Sequence, residues 1–161
     1  KQRVEFVAAL QENINDEYEE HEQKTPAEHD KARLDDNLDT YKEWLGTKLS
    51  TEQKTLVVDF THQRVDTFLL WMQYKQKRLD ALKTLFLQET KPADFDQQLA
   101  VIINDRVAFM SQALINADDK NLENYVKLLL ALKSTLTDKQ QKNVRNEFND
   151  LIEEVTALIN D

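Results

Sequence analysis

One glycine and two prolines in 161 residues set the first limit on what this chain can become. Sheets and tight turns draw on both residues far more heavily, so the sequence predicts an all-α fold. The same breakers divide the chain. Between Gly46 and Pro92 lies a 38-residue run, 51–88, that contains neither type. Within it Val58, Val65, Met72, Leu79 and Phe86 recur every seven residues, which puts them on one helical face. Leu56, Phe60, Trp71, Tyr74 and Leu85 spread round the side, and a helix that is apolar on more than one face packs between neighbours. At ~1.5 Å per residue the run would be roughly 55 Å long. The expectation is one long central helix inside an elongated antiparallel bundle of five to six helices, forming a single domain over residues 1–161.

Residues 1–23 carry Val4, Val7, Leu10, Ile14 and Tyr18 at helical spacing and end in Asp16, Glu17, Glu19, Glu20 and Glu22. Acid at a helix C-terminus opposes the macrodipole, so that end is expected to be a solvated face that frays. Thr25-Pro26-Ala27-Glu28 is a helix start, with Thr25 as cap and Pro26 in the first turn. Leu34, Leu38, Tyr41 and Leu45 follow on one face, and Gly46 is placed to take the left-handed conformation that ends the helix. Residues 1–46 thus read as an acidic helical pair, and residues 50–161 as the central and C-terminal helices. Lys91-Pro92 ends the central run, because the residue before proline avoids the α region. A fourth helix from Pro92 or Asp94 would carry Phe95, Leu99, Ile102, Ile103, Val107, Met110 and Leu114 inward. The polar stretch 116–121 reads as a connection with Asp118 and Asp119 as caps, followed by a short helix centred on Leu122, Tyr125, Leu129 and Leu132. The last helix shows Val144, Phe148, Leu151, Ile152, Val155, Leu158 and Ile159 as a nearly ideal apolar stripe.

The net charge is −9, and residues 1–40 hold 12 acids against 5 bases. Such a chain lacks the basic stripe that neutralises phosphates, so no nucleic-acid partner is expected, and anionic lipid should repel it. The absence of cysteine removes disulfides, zinc–thiolate sites and thiol catalysis. No apolar run reaches the ~20 residues that span a bilayer. The sequence begins at Lys1, which points to a processed or trimmed chain.

One pattern occurs twice. Leu49-Ser50-Thr51-Glu52-Gln53 and Leu136-Thr137-Asp138-Lys139-Gln140 both read L-[ST]-x-x-Q. In each, a hydroxyl caps the free amides of the first turn and the glutamine bonds back to the cap, a capping box. Lys54 and Gln141 stand where an apolar staple partner would, so Leu49 and Leu136 must pack elsewhere. With Asn13 and Glu17-Tyr18, the linker Thr25-Pro26-Ala27-Glu28 and the helix end Trp44-Leu45-Gly46, these starts resemble a family of Gram-negative lipoproteins known only as a domain of unknown function. The family pattern is N-x-x-x-x-E-Y, and here Asn13 and Glu17 stand one residue closer. The resemblance covers nearly the whole chain. It implies a periplasmic protein anchored at the outer membrane through lipid, with a lipoprotein signal and a further helical segment outside this sequence. The L-T-x-x-Q element is also similar to that of the Spy/CpxP-type periplasmic proteins, which are helical and bind unfolded or stress-related clients; the 87-residue spacing and the acidic balance depart from that group.

Catalytic residues are not apparent. Glu17 and His21 lie four apart on one helical face and are the weak metal candidates; His62 has no partner at ligand spacing, and carboxylates converging with His21 or His29 would mark a metal site. Asp35, Asp36 and Asp39 read as surface acids, since a catalytic pair needs burial to separate its pKa values. One glycine permits no phosphate loop. The basic spot Lys75, Lys77 and Arg78 reads as a solvated face. Trp44, Trp71, Met72, Tyr74 and Phe86 are the expected partner surface, because five or six helices cannot cover so long a spine on every side. The function expected is therefore non-enzymatic and cofactor-free: a periplasmic binding or scaffold protein, chaperone-like or tied to envelope stress, that binds a protein partner or itself. The alternative is a metal-binding protein or small metal-dependent enzyme built on the acidic N-terminal helix.

Overall fold

The structure, a computed structural model, describes residues 2–160. Those residues are all-α, with seven α-helices and no strand. In chain order the helices are α1 (Gln2–Glu22), α2 (Pro26–Leu45), α3 (Thr51–Gln63), α4 (Phe68–Phe86), α5 (Phe95–Asn104), α6 (Gln112–Thr135) and α7 (Asp138–Asn160), with a 3-10 turn at Val107–Phe109. None is long and apolar enough to cross a membrane.

The expected central helix is two helices. Residues 64–67 leave the helical conformation, with Arg64 extended (φ −69°, ψ 130°). Neither glycine nor proline is needed for this. Val65, Asp66 and Thr67 are all weak helix formers, and the Asp66 carboxylate, one residue before the start of the next helix, accepts from the free Phe68 amide of its first turn at 2.9 Å. The Asn124 amide donates to the Gln63 carbonyl at 3.1 Å, satisfying a terminal acceptor of α3 from outside the helix.

A second difference lies at residues 105–121. The expected connection at 116–121 is continuous helix within α6, and the break falls earlier. There the Asp105 carboxylate accepts from the Ala108 amide (3.0 Å) and Ser111 Oγ accepts from the Leu114 amide (3.2 Å). Ser111 is the cap. Asp118, expected as one, pairs with Arg106 at 3.6 Å. A polar run without glycine or proline stays helical when its side chains lie on the outside and its few apolar positions, here Ala117, are buried.

The described residues form two compact units, each assembled from separated stretches. This differs from one domain divided near residues 46–50. Unit 1 takes the chain up to Thr25 and Val65–Lys120, and unit 2 takes Pro26–Arg64 and the chain from Asn121 onward. In unit 1, Val7 and Ile14 of α1 meet Met72 and Leu79 of α4 in a buried cluster. Both pairs are seven residues apart, so the spacing lays two stripes along each other. A second cluster joins Leu82 and Leu85 of α4 to Phe95 and Ile102 of α5. Arg78 closes that corner. Its Nε and Nη2 donate to the Ile102 carbonyl at 3.0 and 2.8 Å, a cation on the end of α5 where the dipole favours it. In unit 2, Val57 of α3 packs with Leu128 and Leu132 of α6, bordered by Leu38, Tyr41 and Phe60.

Candidate functional site

The two L-[ST]-x-x-Q starts meet inside unit 2. Each is a complete capping box. Ser50 Oγ accepts from the Gln53 amide (3.1 Å) while Gln53 Oε1 accepts from the Ser50 amide (2.9 Å). Thr137 Oγ1 and Gln140 repeat this at 3.3 and 3.0 Å. The two glutamines, 87 residues apart, then face each other. Gln53 Nε2 donates to Gln140 Oε1 at 3.0 Å, and Gln140 Nε2 donates to Gln53 Oε1 at 3.2 Å. The second proton of each amide is also used: Gln53 donates to the Thr135 carbonyl (3.2 Å) and Gln140 to Thr47 Oγ1 (3.1 Å). Both side chains are almost wholly buried. A buried amide is tolerated only when its partners are complete, and here they are. Read singly, each motif is a local cap; the structure adds a cross-link between the starts of α3 and α7.

The end of α2 is fixed to the same place. Gly46 has φ +60°, the left-handed conformation expected of it. Asn143 of α7 reaches over it and donates to the Leu45 carbonyl at 2.9 Å. A Cβ on residue 46 would lie 2.3 Å from Asn143 Nδ2, so the absent side chain is what lets α7 approach. Gly46→Ala should cost about 2 kcal/mol, combining the left-handed penalty with a lost carbonyl bond. The midpoint of urea unfolding reads this out, and in an Asn143→Ala background the steric part should vanish while the backbone strain stays.

These joints hold α2, α6 and α7 around an open apolar groove of about 960 Å³. Trp44 and Phe148 form one wall, edge to face at 5.4 Å and 81°. Tyr125 and Leu129 of α6 line the groove as well, with Tyr41 of α2 and Phe60 of α3, whose ring lies 6.2 Å from that of Tyr125. Arg64, Lys133 and Arg145 also line it, and no acid does. Burial, and secondarily the neighbouring Tyr125, pushes the Tyr41 phenol up to about 12. An unfolded chain ionises this group near pH ~10. Tyr41 therefore contributes full stability below that value, and its share declines as pH rises toward about 12, because the unfolded state gives up the proton first. Unfolding midpoints measured across that window should fall more shallowly for Tyr41→Phe than for the parent.

No family model, curated protein or solved structure matches the chain.

Of the expected partner surface, Trp44 belongs to unit 2 and the other four residues to unit 1. Met72 and Tyr74 are interior residues of unit 1, Met72 only 1 % exposed, because the seven-residue stripe of α4 is covered by α1. Trp71 is half-buried, edge-on to Tyr74 at 5.1 Å and beneath the Arg106 guanidinium. Phe86 stacks on Phe95 and borders a smaller groove of about 520 Å³ in unit 1. Of these five, only Trp44 lines the larger groove. The leucines before the caps do pack elsewhere: Leu49 is buried and Leu136 lines the groove. The metal candidates are engaged otherwise. The Glu17 carboxylate pairs with Lys75, and the His21 ring stacks on Phe68 at 3.6 Å. His62 is exposed and His29 half-buried. Among the described residues no three carboxylate or imidazole groups gather as a metal site would require.

Proposed function

We propose that this is a non-enzymatic protein-binding protein that uses the groove of unit 2 to hold an amphipathic segment, in the manner of a chaperone-like client binder or scaffold. The observation that carries this reading is the groove itself: open, about 960 Å³, walled by aromatic and leucine side chains and supported by a buried polar cross-link. An apolar groove between two helices is the shape that takes a third helix, and rigid aromatic walls are what give such grooves their affinity. The resemblance to periplasmic lipoproteins supports a periplasmic setting with a lipid anchor outside this sequence. A role as a metal protein finds less support, since Glu17 and His21 are committed to Lys75 and Phe68.

The reading is tested with a reduced, carboxymethylated model protein whose aggregation is followed by light scattering. The parent should suppress aggregation at near-equimolar ratio. A Trp44→Ala/Phe148→Ala variant that keeps its helical circular dichroism should lose at least half of that effect. Equal suppression by the two proteins, or none by the parent, would overturn it.

A further inference from the structure

The apolar stripe of α7 does not end where the groove ends. From Phe148 to Ile159 its apolar residues are between 46 and 77 % exposed, and Leu158 and Ile159 are the most open of all. A run of this kind in a folded helix marks a contact surface. Its flanks identify what it fits. Residues 147–160 carry Glu147, Asp150, Glu153 and Glu154 and no base, whereas residues 139–146 carry Lys139, Lys142 and Arg145 and no acid. The helix is a charge dipole. The groove is its complement, apolar and lined by Arg64, Lys133 and Arg145 without an acid.

We propose that the occupant of the groove is the distal half of α7 from a second copy of this chain, exchanged reciprocally in a symmetric dimer. This rests on the reading of the groove as a protein-binding surface and names its partner. Reciprocal exchange is the isologous arrangement that a two-fold axis produces. It runs the two α7 helices antiparallel, so the basic half of each meets the acidic half of the other, whereas a parallel pair would set like charges together.

Because the chain has no cysteine, single-cysteine variants report on this directly. Mixing Lys133→Cys with Leu158→Cys under mild oxidation should give a disulfide-linked heterodimer, and mixing Lys31→Cys on α2 with Leu158→Cys should give at least tenfold less. Sedimentation of the parent should show a monomer–dimer equilibrium that weakens as salt is raised. Glu153→Lys/Glu154→Lys and Lys133→Glu/Arg145→Glu should each weaken it at least tenfold, and combining all four should restore it. A parent that stays monomeric at every accessible concentration, or a dimer indifferent to these changes, would overturn the proposal. A monomer that still suppresses aggregation would sink only the self-pairing, and a dimer without suppression only the client-binding role.

Discussion

Replacing Gln53 by alanine should destabilise unit 2 by about 3 kcal/mol, well beyond the ~1 kcal/mol of an ordinary helix cap. The excess comes from what the substitution leaves behind. The Ser50 amide and the Thr135 carbonyl lose a partner, and the Gln140 amide stays buried with one donor unmet, its oxygen keeping only the Thr137 end of its bonds. Gln140→Ala should cost a similar amount for the same reason. The double variant should then cost less than the two single losses added together, by about 1–3 kcal/mol, because the second deletion removes groups the first had stranded. Denaturant unfolding of the four proteins in the cycle measures this. Strict additivity would mean that the two capping boxes act independently. Gln53→Glu probes the same joint: a carboxylate offers no donor to Gln140 Oε1 or to the Thr135 carbonyl.

Met72→Ala should be the most damaging single change in unit 1, at about 3–4 kcal/mol, through lost burial and the cavity left between α1 and α4. Met72 is 1 % exposed and sits among Val7, Ile14 and Leu79. Thermal unfolding should register the loss. The self-association expected of unit 2 should persist wherever the variant remains folded. Were Met72 a partner-contact residue, the reverse pattern would appear, with binding impaired and the melting temperature unchanged.

The helix class of the chain, its two capping boxes and the end at Gly46 were legible because each is written in a few adjacent residues. A hydroxyl three residues before a glutamine, or a lone glycine after a leucine stripe, specifies its own local geometry. What failed was reading an uninterrupted helix from the absence of breakers. α3 ends at Gln63 with Arg64 extended, the Asp66 carboxylate takes the Phe68 amide at the start of α4, and a run of Val, Asp and Thr supplies the weakness. The groove was hidden for a different reason. Periodicity reports that Tyr125, Leu129, Val144 and Phe148 share a helical face, but not whether another helix covers it. Likewise, the repeat of L-[ST]-x-x-Q was visible while the pairing of its glutamines was not, since no local rule brings residue 53 to residue 140.

That pairing has a bearing on how the chain must come into being. Unit 2 opens with α2 and α3 and is completed only by α6 and α7, with most of unit 1 intervening. A ribosome adding ~5–20 residues per second would leave the aromatic faces of α2 and α3 without their covering helices for roughly 4–15 seconds. α1 waits similarly for α4. Contacts so far apart in sequence slow folding as well, since long loops must close before any buried area rewards them. Each unit is thus interrupted by the other, and cutting the chain anywhere between Gly46 and Leu136 would separate halves that neither fragment can replace. Nascent chains of this protein should themselves be clients of the folding machinery around them, and early termination near residue 90, which leaves both units incomplete, should yield aggregation-prone fragments in place of a stable half-molecule.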